Sequence, residues 1–285
     1  MFPKRFEYYR PKEMADALRF MSSHAECKVI AGGQSLVPML KLRIASPAYI
    51  VDIGGFDGLR YIKVGGAGEL RIGALTTHSE VEESALVKGG WPVLSVTASN
   101  IADTQIRNRG TVGGSVCHAD PAADYLPTML ALGARVSLRS EDGTRIIPLE
   151  EFLLGPFTTA IGEAELLEEV VIPPYKGKAG FEKFSRREGD IAVVNAAALL
   201  DLSDGDVAAV RVAVGGMGPT ATLLPSISDD LAGRKFDEAM IVEAAERAIE
   251  YLDPPSDVHG SSGYRREVAK VVVKRLLLGL RTGGA

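Results

Sequence analysis

The stretch that decides how this chain is read runs Arg107-Asn-Arg-Gly-Thr-Val-Gly-Gly-Ser-Val-Cys-His-Ala-Asp-Pro-Ala-Ala-Asp124. Gly110, Gly113 and Gly114 allow a tight loop that another molecule can approach closely. Thr111 and Ser115 add hydroxyls on either side of Val112. Convergent amides with no bulky side chain in front of them suit a phosphate. Pro121 stands where a helix can begin, and Asp124 falls in its first turns. A glycine-rich surface turn would be spelled in the same way, so this loop alone decides nothing.

A second loop changes the balance. Val29-Ile-Ala-Gly-Gly-Gln-Ser-Leu-Val-Pro38 sets Gly32 and Gly33 directly after the apolar Val29, Ile30 and Ala31. Gln34 follows, then Ser35 as a candidate N-cap for a helix opening at Leu36, with Pro38 tolerable in its first turn. Strand, glycine turn and helix start form a geometry that holds a pyrophosphate. The spacing is not that of the dinucleotide fingerprint. Two such loops in one chain point to a long ligand with a phosphate bridge at its middle, such as FAD.

Ala31-Gly-Gly-Gln-Ser35, followed by Gln105-Ile-Arg-Asn-Arg-Gly-Thr-Val-Gly-Gly114 and then by Lys183-Phe-Ser-Arg-Arg-Glu-Gly-Asp-Ile-Ala192, resembles the FAD-carrying medium subunit of the molybdenum hydroxylases. Aerobic carbon monoxide dehydrogenase and xanthine dehydrogenase represent that family. The resemblance runs over nearly the whole chain, with the motifs in the family order. It implies an α+β fold: a two-subdomain FAD-binding fold of the vanillyl-alcohol oxidase (PCMH) type, then a C-terminal α+β domain with a small antiparallel sheet. It implies contacts to FAD from Val29 to Leu36, from Thr111, Val112, Gly113, Gly114 and Ser115, from Asp124 to a ribityl hydroxyl, and from Leu167 and Lys183 beside the flavin ring. It further implies two partners, a small subunit with [2Fe–2S] clusters and a large molybdopterin subunit, arranged as a dimer of heterotrimers. A self-contained FAD-dependent oxidoreductase with its own substrate pocket is the alternative on the same fold.

Composition sets bounds around this reading. The chain has 285 residues, 46% hydrophobic and 24% charged, enough for two or three subdomains. A net charge of −5 argues against a nucleic-acid partner. The densest apolar run, Val271 to Leu280, is broken by Lys274 and Arg275, so no transmembrane segment is expected and the cytoplasm is the expected compartment. Two cysteines, Cys27 and Cys117, cannot ligate an iron–sulfur cluster, which needs four thiolates.

Along the chain, Met14, Leu18 and Met21 mark a helix face, Lys28–Ile30 and Tyr49–Ile53 strands, and residues 1–55 a first FAD-binding subdomain. A second, 56–175, opens with a glycine hairpin over Leu59–Leu75. A helix capped by Thr76 or Thr77 is expected through about Lys88, another over Trp91–Ala102, and a third over Ala122–Leu132. Strands are expected at Arg135–Arg139, Arg145–Leu149 and Leu166–Ile172. Pro173–Gly180 is the linker candidate. Residues 176–285 form the C-terminal domain, with strands at Phe181–Arg186, Val193–Leu202 and Val207–Val214 and helices at Asp237–Leu252 and Ser261–Leu280.

Other patterns are set aside. Gly216-Met-Gly-Pro-Thr-Ala221 matches G-x-G-x-x-A, but Pro219 and the following Leu223-Leu224-Pro225 do not continue as the required helix. His24, His78, His118 and His259 show no metal-helix spacing, although His118 lies in the central stretch. Asp120 suits a helix start better than acid–base work with Asp124. No nucleophile elbow is present, and no residue is expected to be catalytic in its own right.

Overall fold

The computed structural model describes residues 2–282. The first unit alternates strand and helix: β1 (Glu7–Tyr9), α1 (Met14–Ser23), β2 (Cys27–Ile30), α2 (Leu36–Leu42) and β3 (Tyr49–Asp52). Its sheet is parallel with the order β1-β3-β2. Helix α1 buries Ala17, Leu18 and Met21, the face its spacing predicts.

A hairpin of β4 (Ile62–Val64) and β5 (Leu70–Gly73) opens the second unit. The single helix expected to Lys88 is two, α3 (His78–Glu83) and α4 (Ala85–Gly90). Thr77 forms a capping box with Glu80, and Ser84 accepts from the Val87 amide, so one serine stops the first helix and starts the second. Then come α5 (Pro92–Ser99), α6 (Thr104–Arg107), α7 (Val112–His118) and α8 (Tyr125–Ala131). The stretch expected to be a loop therefore contains a helix, α7, and α8 begins at Tyr125 rather than Ala122. Strands β6 (Arg135–Ser140) and β7 (Gly143–Pro148), the turn of helix α9 (Leu149–Phe152), the small hairpin of β8 (Leu153–Gly155) and β9 (Thr158–Thr159), and β10 (Leu166–Ile172) complete the unit. Its antiparallel sheet has the order β4-β5-β10-β6-β7.

The last third is a meander of β11 (Lys178–Ser185), β12 (Ala192–Ser203), β13 (Asp206–Gly215) and the short β14 (Thr222–Leu223). Helices α10 (Pro225–Leu231), α11 (Glu238–Glu250) and α12 (Ser262–Thr282) follow. Along β12, Val194, Ala196, Ala198 and Leu200 face the core these helices form. Ala197, with Ala213 of β13, instead joins the core around α8. Both faces are thus covered, which is why β12 is almost continuously apolar instead of alternating. Val272 and Leu276 of α12 are buried on this sheet, while Val271 stays 47% exposed. The Gly216–Ala221 stretch is a strand-end turn, with the Gly216 carbonyl held by Arg265 Nη1 at 3.2 Å.

Candidate functional site

A cavity of about 840 Å³ runs between the first two units and is closed on one side by β11 and the turn after it. That is near the upper end of the roughly 300–1,000 Å³ spanned by small-molecule pockets. Of the residues expected at the cofactor, Val29 to Leu36, Thr111, Gly113, Gly114, Ser115, Asp124, Leu167 and Lys183 all line it. Val112 does not. Its side chain is fully buried in the core and its amide donates to the Thr76 carbonyl at 2.9 Å.

The two glycine loops, alike in sequence, are built differently. In the first, Gly33 has φ +75, a left-handed conformation that favours glycine. The amides of Gly33, Gln34 and Ser35 have no acceptor among the described residues. Ser35 makes no capping hydrogen bond, contrary to the expectation from its position. In the second, the Gly113 amide donates to the Ala74 carbonyl, and the amides of Gly114 and Ser115 to Thr111 Oγ1 and the Thr111 carbonyl. Thr111 is thereby the N-cap of α7. The expected set of open amides is absent here because a capped helix turn has consumed them. Gly114 is not left-handed, since its φ is negative in that helix; an added Cβ would instead lie 2.8 Å from Thr111 Oγ1. At Gly113 a Cβ would meet that of Ala74 at 2.6 Å, and at Gly32 one would meet the Arg109 carbonyl oxygen at 2.0 Å. Those glycines let the loops pack, the first against the second and the second against β5. The free donors therefore belong to the first loop, while the second contributes a wall and the half-buried Ser115 hydroxyl.

Asp124 is buried beside the cavity. Its Oδ2 accepts from Lys183 Nζ at 2.7 Å, and its Oδ1 from Asn195 Nδ2 at 2.8 Å. Lys183 Nζ also donates to the Asn100 carbonyl at 2.9 Å. Burial pushes the Asp124 carboxyl above the usual range, while Lys183 and Asn195 pull it back. Asp120 accepts from the Ala122 amide at 2.9 Å in a turn ahead of α8. His118 lines the cavity with its ring 5.0 Å from that of Phe157.

Two features escaped the sequence reading. His78, at the first position of α3, lines the cavity yet is only 5% exposed. Burial and the nearby Arg107 lower its pKa to about 4, so it is neutral at pH 7. Asn195 lies fully buried behind Asp124. Cys27 and Cys117 both reach the cavity wall, where burial pushes the Cys117 thiol up to about 12, so it is no thiolate. Cys117 was visible in the central stretch; of His78 and Asn195, only His78 carried a hint, in the spelling of Thr77-His78 at a helix start.

Fold and cavity together define a flavoprotein of the two-subdomain PCMH type with an added C-terminal domain. Residues 4–175 match the family described as the FAD binding domain in molybdopterin dehydrogenase, and 179–280 the CO dehydrogenase flavoprotein C-terminal domain. The chain is 40% identical over 281 residues to the 6-hydroxypseudooxynicotine dehydrogenase complex subunit alpha of Paenarthrobacter nicotinovorans, covering 97% of this chain and 95% of that one. To the glyceraldehyde dehydrogenase medium chain of Sulfolobus acidocaldarius it is 36% identical over 276 residues, covering 96% and 98%. A solved structure of carbon monoxide dehydrogenase from Hydrogenophaga pseudoflava superposes with a TM-score of 0.96 at 34% identity, covering 100% of both chains. The chain belongs to the FAD-binding subunits of the molybdenum hydroxylase family, which are oxidoreductase components, and its cofactor is FAD. Among the described residues no helix is long and apolar enough to cross a membrane.

Proposed function

We propose that this chain is the electron-transfer subunit of a molybdenum hydroxylase complex. It takes electrons from the [2Fe–2S] clusters of a small subunit, after a large molybdopterin subunit has oxidised the substrate, and passes them to a final acceptor. A dimer of such heterotrimers in the cytoplasm is the assembly we infer. Residues 1–55 and 56–175 act as the FAD-binding subdomains and 176–285 as the C-terminal domain; Met1 and residues 283–285 lie outside the described structure.

The observation that carries this reading is the row of open amides at Gly33, Gln34 and Ser35 on the wall of a cavity of about 840 Å³. Those amides suit a pyrophosphate. Thr111 and Ser115 line the same cavity from the other loop, Asp124 suits a ribityl hydroxyl, and Leu167 and Lys183 suit the ring. FAD supplies the ability to accept electrons singly and release them in pairs. The chain's own residues bind and orient it. Relatives matched over nearly their whole length carry names such as medium chain and complex subunit, which supports work in a complex.

The test expresses the chain alone and with small and large partner subunits, then follows flavin reduction. Alone it should bind FAD and leave organic substrates unoxidised; substrate-dependent reduction should need both partners. Turnover by the isolated chain at ordinary enzymatic rates, roughly 1–1,000 per second, would establish the self-contained oxidoreductase instead.

A further inference from the structure

Asn195 does not touch the cavity, yet it holds a residue that does. It lies on β12 directly opposite Lys183 of β11 and Gly215 of β13. Lys183 takes one oxygen of Asp124 and Asn195 the other, at 2.7 and 2.8 Å. Asn195 Nδ2 also donates to the Ala122 carbonyl at 3.1 Å, and the Gly216 amide to the Pro121 carbonyl at 2.8 Å. One level of the C-terminal sheet thus grips the segment from Pro121 to Asp124.

The orientation of the Asn195 amide follows from its surroundings. Reversing it would set Oδ1 against the Asp124 carboxylate and the Ala122 carbonyl, two acceptors with no proton between them. As placed, Oδ1 has no partner among the described residues, and a Cβ at Gly215 would lie 2.2 Å from it. A buried polar atom left unpaired costs free energy, so a leucine at 195 would suit this apolar strand better were packing the residue's task. What the amide contributes is a neutral donor on the side of the carboxylate away from Lys183. Two ionised oxygens offer about four lone-pair sites. Lys183 and Asn195 occupy two of them and fix the rotation of the group, leaving capacity toward the cavity.

We propose that Asn195 is a positioning residue of the flavin site: it and its cross-strand neighbour Lys183 clamp the Asp124 carboxylate so that its free lone pairs face a hydroxyl of the cofactor. The inference rests on the reading of Asp124 as a cofactor contact. It makes the C-terminal domain part of the binding site through residues of one sheet level, so the register of β11 against β12 sets the geometry.

The experiment uses the full chain, with the FAD dissociation constant measured from pH 5 to 9 and apo-protein thermal unfolding in parallel. Asn195→Leu should weaken FAD binding roughly tenfold. Asn195→Asp places a second carboxylate against Asp124. Its FAD affinity should fall as pH rises and the proton shared by the pair is lost, whereas the parent chain should show no such slope. The exchange Asp124→Asn with Asn195→Asp restores one amide and one carboxylate and should remove the slope; it also tests the idea if Asn195→Leu does not fold. Asn195 variants that bind FAD like the parent at every pH, while Asp124→Asn binds weakly, would overturn the positioning role alone. So would a lowered unfolding temperature with FAD affinity and its pH profile unchanged. Unchanged binding in Asp124→Asn would overturn the Asp124 reading and this inference with it.

Discussion

The two Gly-Gly pairs look interchangeable on paper and are not so in space. Gly32-Gly33 turns a strand into a helix start and leaves amides open, with Gly33 left-handed at φ +75. Gly113-Gly114 sits inside a capped helix whose amides are already taken. In the first pair Gly32 lets the loop lie against the Arg109 carbonyl and Gly33 takes the left-handed turn beside the open amides. The other is glycine so that a helix can lie against β5 and Thr111. Equal spelling therefore hides unequal duties, and substitutions should separate them.

The largest effect should come from Gly113→Val. Its added atoms meet Ala74 at 2.6 Å in the core, and overpacking of this kind reaches about 3 kcal/mol. Denaturant unfolding should show the loss even without flavin, and parent-like stability would remove the packing explanation for the second pair.

Acid should expose the same side of the site. His78 supports the second loop, its amide donating to the Gly110 carbonyl at 3.0 Å. Its folded pKa of about 4 lies below the unfolded value near 6.5. The unfolded chain therefore binds the proton more readily, and stability is lost as pH falls from 6.5 to 4, by about 3 kcal/mol. Below that window the contribution is flat. His78→Phe should shrink the acid-dependent loss in a pH series of unfolding curves; an identical series would assign it to other groups.

Gly33→Ala should cost about 1–2 kcal/mol from the left-handed backbone, with weaker FAD binding. If stability drops while the flavin dissociation constant holds, the open amides are not the phosphate site. The smallest effects divide the loops once more. Thr111→Ala removes a real cap and should cost about 1 kcal/mol, whereas Ser35→Ala removes no cap and should stay within about 0.5 kcal/mol. Equal costs in thermal unfolding would mean that the two loops do not differ in capping.

Much of this was legible in the sequence where the pattern is long. The apolar periodicity of α1 and α11 and the extended runs of β11, β12 and β13 announce those elements, and the ordered motifs announce the family. Short pieces were not legible. Strands β1, β9 and β14 and helices α6 and α9 have two to four residues and carry no period. Helix α10 was not anticipated, although Pro225 is its first residue and serves as a helix start. The central stretch was read as a loop because glycine disfavours helix, but packing on Ala74 and the Thr111 cap outweigh that preference. The site's glycine loops were visible; Asn195 and His78 were not. Each is a single polar residue in an ordinary element, and what singles it out is burial against residues distant in sequence.

The cavity draws its walls from as early as Met21 and as late as Ile191. Synthesis proceeds from the N-terminus at roughly 5–20 residues per second. Asp124 and Lys183 are 59 positions apart, so the carboxylate leaves the ribosome about 3–12 s before its counter-charge. During that interval both glycine loops exist, but the C-terminal wall does not. A ribosome stalled before β11 would hold Asp124 without Lys183 or Asn195, and a cavity open on the side that β11 closes.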